Sequence, residues 1–285
     1  MTTCERSAGG SGSSTGEERV TIDPGGPVVT ILMPVKNEGL NLTVMLKILS
    51  AVVEVPHEVL VVVDREDDRS VPVVEAMAPA YPNVRAVHNT LGPGILNALR
   101  AGIAVAGGRY VLIFAADEVG PVLAIDDMIA LMEQGCDFVS CTRYAHGGRR
   151  LGGSFTGGVL SRLANWMFCQ VSGCRLTDAT TGIKMFKPEL FERLDLQARP
   201  VGWAVAFEMG IKAQLAGLTL GEVPIVSIDR LYGGKSTFAL GPWTAEYLRW
   251  FMWGWRQSLN SRRSARPGVM VRVPSATAMG GKARM

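Results

Sequence analysis

Past Glu246 the sequence has no acidic residue, although Arg249, Arg256, Arg262, Arg263, Arg266, Arg272, Lys282 and Arg284 all follow it. The formal net charge is only +3, so the chain ahead of this run is net acidic and the basic charge is gathered at one end. No basic stripe or base-stacking module accompanies it in the body, which argues against nucleic acid as a partner. Histidine is scarce, being confined to His57, His88 and His146. The five cysteines include two C-x4-C pairs, Cys136/Cys141 and Cys169/Cys174, a spacing foreign to the usual zinc pairs. We expect reduced, buried thiols, and neither a metal centre nor a disulfide framework. No stretch approaches the roughly 20 uninterrupted apolar residues of a membrane-spanning helix. The first 27 residues are nearly free of large apolar side chains and lack the basic-then-apolar order of a secretion signal. They read as a disordered leader, and the protein as cytoplasmic.

What the sequence does have is apolar residues in bulk, 47% of 285, enough for one large α/β domain. Three apolar runs end abruptly on polar residues: Val29 to Val35 before Lys36-Asn37-Glu38, Val59 to Val63 before Asp64, and Tyr110 to Ala116 before Asp117. Short β-branched runs without alternation read as strands buried on both faces of a parallel sheet. Ligands of such sheets bind beyond the carboxyl ends of the strands, so these three ends form one candidate rim. Helices are expected near 40–53, 71–79, 95–106 and 122–134, with further strands at 84–87 and 138–142. Past Arg143 comes a glycine-rich loop, 147–153. Helices near 155–171, 188–194 and 203–216 follow, then one strand over 219–228. The pattern gives a single mostly parallel α/β domain over 28–240, an amphipathic aromatic helix over 241–260, and a basic disordered tail over 261–285.

Two glycine-rich segments tempt a phosphate-binding reading. Gly233-Gly234-Lys235-Ser236-Thr237 lacks the earlier glycine of a P-loop, since position 229 is Asp. Gly92-Pro93-Gly94 matches only the opening of a dinucleotide fingerprint, although a glycine turn at a helix start still suits a phosphate. The order of segments is far more specific. Val29 to Glu38, Val61-Val62-Val63-Asp64, Phe114-Ala115-Ala116-Asp117, Cys141-Thr142-Arg143-Tyr144, Asp178-Ala179-Thr180-Thr181-Gly182, Glu222-Val223-Pro224-Ile225 and Asp229-Arg230 together resemble the inverting family 2 glycosyltransferases. Within that family the likeness is to dolichol-phosphate mannose synthases and bacterial polyprenyl-phosphate glycosyltransferases, over residues 28 to 250.

The resemblance implies a GT-A, Rossmann-like fold, a nucleoside diphosphate sugar as donor and a polyprenyl phosphate as acceptor. It assigns the donor to Pro34, Val35, Asn37, Glu38, Asp64, Ala116 and Asp117, where carboxylates accept hydrogen bonds from a base edge or ribose hydroxyls. On the bare residues, Glu38 and Asp64 equally suit helix caps. The resemblance assigns the acceptor phosphate to Arg143, Arg162, Arg230, Lys235 and Ser236, arginine's planar fork matching phosphate in a bidentate way. Asp117, Arg143 and Glu208 are the catalytic candidates, Glu208 standing where hydroxyl-acceptor relatives keep a base.

The chain departs from the family at two places. The Asp-x-Asp that holds Mg²⁺ or Mn²⁺ reads Ala115-Ala116-Asp117, leaving Asp117 as its metal ligand, with Glu118 next to it and basic side chains as the alternative neutraliser of phosphate charge. The Gly-x-Ser after Arg230 begins one residue late. A soluble hydroxyl acceptor, a non-catalytic sugar-nucleotide binder and nucleotidyl transfer stay open beside the lipid acceptor. Tyr247 to Arg256, aromatic with flanking arginines, suits peripheral contact with the cytoplasmic membrane face.

Overall fold

Val29–Val35 forms β1, flanked on both edges and covered on both faces, with Ile31 and Met33 toward one layer of helices and Leu32 toward the other. The computed structural model describes residues 25–151, 155–228, 240–260 and 268–274. From β1 the chain runs through α1 (Gly39–Val52), β2 (His57–Val63), α2 (Val71–Met77), β3 (Val84–His88), α3 (Ile95–Ile103) and β4 (Tyr110–Ile113). A 3-10 turn (Gly120–Ala124) then leads into α4 (Ile125–Glu133) and β5 (Phe138–Thr142). The second half holds β6 (Arg149–Leu151), α5 (Phe155–Ser172), β7 (Lys184–Phe186), α6 (Pro188–Arg193) and α7 (Ala204–Leu215). It closes with β8 (Leu220–Pro224), β9 (Val226–Ile228), α8 (Leu240–Asn260) and β10 (Val269–Val271).

Eight strands make one sheet in the order β10-β8-β5-β7-β4-β1-β2-β3. Only β7 runs antiparallel to its neighbours β4 and β5. Helices α1, α2 and α4 supply the core on one face, and α3, α5, α6, α7 and α8 on the other. This is the mostly parallel, single-domain α/β sheet that the buried strand runs predict. Strand order reverses between β1 and β4, so the loops after these two strands flank a topological switch point, where open α/β sheets bind ligands.

Four local differences have physical causes. Strand β4 stops at Ile113, three residues before the expected end, because the chain turns back after Ala115 and the Glu118 N–H donates to the Ala115 carbonyl at 3.4 Å. The expected strand over 219–228 divides in two. Pro224 has no N–H for the ladder, the Ile225 N–H donates to the Thr142 carbonyl at 2.9 Å, and residues 226–228 cross to pair with β6. The glycine-rich loop after Arg143 therefore contains a strand, β6. Residues 269–271, expected in a disordered tail, pair with β8, with Met270 against the Cys136 thiol. The leader through residue 24 and residues 261–267 and 275–285 of the tail lie outside the described residues. Cys136, Cys141 and Cys174 are buried and free, and burial pushes the thiols of Cys136 and Cys169 up to about 11 and that of Cys174 up to about 12, as expected of inert thiols.

Under the second half of the sheet lies a polar row that the sequence pattern did not suggest. Lys184 on β7 and Glu222 on β8 are both register partners of Ser140 on β5, so all three side chains share a face. Lys184 is fully buried with its ammonium 3.0 Å from Ser140 Oγ, and burial lowers its pKa to about 8. Glu222, also buried, accepts the Thr177 N–H at 2.7 Å, yet burial pushes its carboxyl up to about 7. Since the folded state holds this proton more tightly than the unfolded chain, Glu222 costs stability as pH rises from about 4.5 to about 7. Lys184 acts oppositely at higher pH, stability rising between about 8 and 10.5. Glu222→Gln keeps an acceptor for Thr177 without the buried charge. We expect thermal melts to show a flatter Tm profile between pH 5 and 7, and a gain of about 2–4 °C at pH 7.5.

Candidate active site at the carboxyl ends of the strands

The loop leaving β1 is shaped by Asp68, a residue without an assigned role in the sequence pattern. Asn37 takes a left-handed backbone, φ 58°, which asparagine tolerates better than most residues. Its N–H donates to both oxygens of buried Asp68, at 3.1 and 3.0 Å. The next amide, that of Glu38, donates to Ser70 Oγ at 3.1 Å, and Asp68 also accepts the Ser70 N–H at 2.8 Å. The acidic turn after β2 thus locks the rim of β1. Glu38 occupies the cap position of α1 but makes no side-chain cap, its carboxylate accepting from Asn41 at 2.8 Å instead. Asp64 likewise caps no helix directly after β2. It accepts Asn89 Nδ2 at 2.7 Å and the Gly94 N–H at 3.2 Å, tying β2 to the glycine turn ahead of α3. At Gly94, φ 119°, a Cβ would fall 2.4 Å from Pro200 Cβ, so glycine is required on both counts. The structure therefore brings Pro34, Val35, Asn37, Glu38 and Asp64 to one rim.

Across the switch point, Ala116 and Asp117 lie in the turn beyond β4, beside Glu118. This turn is pressed against β9: a Cβ on Gly120 would sit 1.6 Å from the Val226 carbonyl oxygen. Glu118 points inward, hydrogen-bonded with Ser227, and its Oε1 is buried without a hydrogen-bond partner. Burial raises its pKa, against the opposing effects of Ser227 and Arg143. Ala115 offers no oxygen where the family pattern has one, and no group of three or more His, Cys, Asp or Glu is poised for a metal among the described residues. Asp117 with the orphaned oxygen of Glu118 fits a divalent ion whose remaining ligands are substrate phosphates and water.

The third cluster is held by Asp178, which is fully buried. Arg143 Nε donates to its Oδ2 at 2.6 Å and Arg143 Nη2 to its Oδ1 at 3.0 Å, a bidentate pair, while Nη2 also reaches Thr180 Oγ1 at 2.9 Å. Asn165 on α5 donates to Asp178 at 3.2 Å and to Thr180 at 3.0 Å, and accepts the Ala179 N–H at 2.9 Å. Burial alone would raise the Asp178 pKa, but Arg143 holds the carboxyl below the usual range. Tyr144 then gathers two of the three arginines assigned to the acceptor: the Arg143 and Arg162 guanidinium carbons lie 5.2 and 5.4 Å from its ring centre. Its hydroxyl pairs with Ser161 at 2.9 Å. Arg230, Lys235 and Ser236 lie outside the described residues.

Glu208 needs a correction. Its carboxylate is fully buried, accepts the Gln197 and Ala198 N–H groups at 2.7 Å each, and pairs with Lys212 at 2.8 Å. With both oxygens committed it anchors the 195–198 loop and offers no free base to an acceptor. Asp68, Ser70, Asn89, Asn165 and Asp178 are the residues that sequence reasoning missed as supports. The one advance signal was Asp178, standing in a quoted motif without an assigned role.

The Glycosyl transferase family 2 model matches residues 30–194, more than half of the chain. The chain belongs to the family 2 glycosyltransferases. A polyprenol monophosphomannose synthase from Mycolicibacterium smegmatis is 27% identical over 223 residues, which is 76% of this chain and 83% of that protein. An uncharacterised Escherichia coli glycosyltransferase, YibD, is 29% identical over 114 residues, 40% of this chain and 33% of its own length. Among solved structures, glucosyl-3-phosphoglycerate synthase from Mycobacterium tuberculosis with Mn²⁺, UDP-glucose and phosphoglyceric acid superposes with a TM-score of 0.62, at 17% identity. That match covers 81% of this chain and 80% of that one. A complex of the same enzyme with Mg²⁺ and UDP gives 0.59 at 18% identity, over 80% and 79% of the two chains. These likenesses establish the GT-A fold for this glycosyltransferase.

Removing the anchor of Arg143 leaves a largely buried guanidinium without its carboxylate. We expect Asp178→Asn to lose about 3 kcal/mol or more of stability, read by urea unfolding.

Proposed function

We propose that this family 2 glycosyltransferase moves a hexose from a nucleoside diphosphate sugar to a polyprenyl phosphate, with inversion at the anomeric carbon. The observation carrying the acceptor assignment is the gathering of Arg143 and Arg162 around Tyr144, two arginines at one ring on the rim past β5. Arg143 spends Nε and Nη2 on Asp178 and Thr180 and so sets a fixed positive charge beside the guanidinium of Arg162, a pairing that suits a phosphate monoester, and the mannose synthase relative is named for a polyprenol monophosphomannose product. Pro34, Val35, Asn37, Glu38 and Asp64 hold the nucleoside of the donor, and Ala116 and Asp117 its diphosphate side. UDP and UDP-glucose occupy the glucosyl-3-phosphoglycerate synthase complexes, which favours a uridine donor here.

A phosphate oxygen of the acceptor is already ionised near neutral pH, so its attack needs no general base. The new bond joins that oxygen to the anomeric carbon as the bond to the donor's β-phosphate oxygen breaks. The nucleoside diphosphate leaves with the electron pair. Arg143, its fork fixed by Asp178, and Arg162 orient the nucleophile in line with the leaving group. Asp117 with Glu118 would hold Mg²⁺ or Mn²⁺, which when bound neutralises charge on the departing diphosphate.

A second reading keeps the donor and replaces the lipid by a small phosphorylated hydroxyl compound. It is favoured by the fold neighbour, whose complexes contain phosphoglyceric acid. That chemistry requires a base. Glu208 is committed elsewhere, whereas His146, on the loop after Arg143, stands 3.9 Å from the Glu222 carboxylate.

Calorimetry across UDP-, GDP- and dTDP-sugars should give binding for one nucleotide class, and no binding of any would overturn both readings. Mn²⁺ titrated alone should show little affinity, and a site should appear once UDP is present and vanish in Asp117→Ala. That substitution should also lower kcat/KM by about a hundredfold or more. With labelled donor and membranes, organic-extractable product supports the lipid acceptor. Donor hydrolysis without such product overturns it.

A further inference from the structure

Helices α5 and α8 pack side by side, with Phe168 and Phe251 ring centres 6.4 Å apart, and bury Phe168 and Trp250 against the sheet. Their opposite arcs are not covered by anything among the described residues. On α5 the positions some 120–220° around from Phe168, at 100° per residue, include Val159, Arg162, Leu163 and Trp166. All four are exposed, Trp166 by 62%. Met167 beside them is 40% exposed. On α8 the arc opposite Trp250 carries Leu248, Trp255 and Leu259, also exposed. An apolar face of this size, spanning two adjacent helices and holding two tryptophans, marks an interaction surface.

We propose that this paired face docks the enzyme on an anionic lipid bilayer, lying in the headgroup layer. Charge selects the occupant. Neither helix exposes an acid: α5 has none, and Glu246, the single carboxylate of α8, is buried and takes up the Trp250 indole N–H at 3.1 Å. The exposed charges bordering the apolar arcs are Arg162 and Arg256. Aromatic and apolar residues rimmed by arginines match the boundary between acyl chains and anionic headgroups. A twofold dimer through the same face would bring like arginine fringes together, which opposes self-association. No helix among the described residues is long and apolar enough to cross a membrane, so contact is parallel to the surface. Arg162 links this face to the site, because its guanidinium stands over Tyr144. Docking thus presents the arginine pair to the level at which a lipid phosphate sits.

The proposal deepens the lipid-acceptor reading and is tested apart from it, on vesicles without acceptor. The full chain is co-sedimented with phosphatidylcholine vesicles, plain or with about 30% phosphatidylglycerol. Binding is expected only with phosphatidylglycerol and should weaken with salt. Leu163→Ser with Trp166→Ser, both exposed, should weaken it about tenfold or more while leaving calorimetric donor binding unchanged. Light scattering should find a monomer. Three results would each overturn the proposal: no vesicle binding by the natural chain, undiminished binding by the double variant, or a dimer that the double variant dissociates. Transfer to a short polyprenyl phosphate in detergent is scored separately, so failure of docking and failure of the acceptor assignment are distinct.

Discussion

One fully buried carboxylate, that of Asp178, fixes the rim past β5. A carboxylate with no access to water is tolerated only when its charge is matched and its oxygens are hydrogen-bonded. Arg143 meets that demand from β5, Asn165 from α5 and Thr180 from its own loop. Three separate segments are thereby set relative to one another. The orientation of the Arg143 fork follows, and so does the seating of α5 that brings Ser161 and Arg162 to Tyr144. The outward apolar arc of α5 is a consequence of the same constraint, because Asn165 turns inward and leaves Leu163 and Trp166 facing out.

The rim at the ends of β1 and β2 rests on backbone amides. Asn37 and Glu38 present consecutive N–H groups to Asp68 and Ser70, and Asp64 accepts the amide of Gly94. These contacts join the ends of β1 and β2 to the turn before α3, on the side of the switch point away from Arg143. The 194–200 loop ties the turn before α3 to α7 and α8. It touches Gly94 through Pro200 and is gripped from behind by Glu208 on α7 and Glu246 on α8. Glu208 is thus best understood as part of the scaffold.

Strands β1, β2 and β4 were legible because their residues are apolar on both faces and the apolar runs end abruptly on polar residues. Strand β7 was hidden, since it is three residues long and carries Lys184, which reads as exposed until Ser140 is seen beside it. The β8/β9 division was signalled by Pro224, but sequence does not say that the chain then changes sheets. In β10 three apolar residues among basic ones become a strand only because β8 offers an open edge. The rim residues Glu38 and Asp64 were found from their positions, whereas Asp68, Asn89 and Asn165 act through contacts 13 to 31 residues away and leave no local pattern. Glu208 was misread for the converse reason: a family position suggested a base, and only the structure shows both oxygens occupied.

The turn beyond β4 is where this chain departs furthest from its family. Ala115 removes one carboxylate from this turn, and Glu118 returns one, on a longer side chain directed inward to Ser227. Leaving Glu118 Oε1 buried and unpaired costs about 1–3 kcal/mol or more. Folding energy alone gives no reason to keep such a group, since an apolar residue would fill the same space without that cost. In the proposed reaction the cost has a use. Asp117 is too few ligands for a divalent ion, and Mg²⁺ in particular is held by one or two carboxylates together with substrate phosphates. In the proposed reaction the donor's diphosphate would complete the site, so the ion would arrive with the donor and leave with the product. With Ala115 and Glu118 in these places, Asp117 would hold a metal that the donor itself completes.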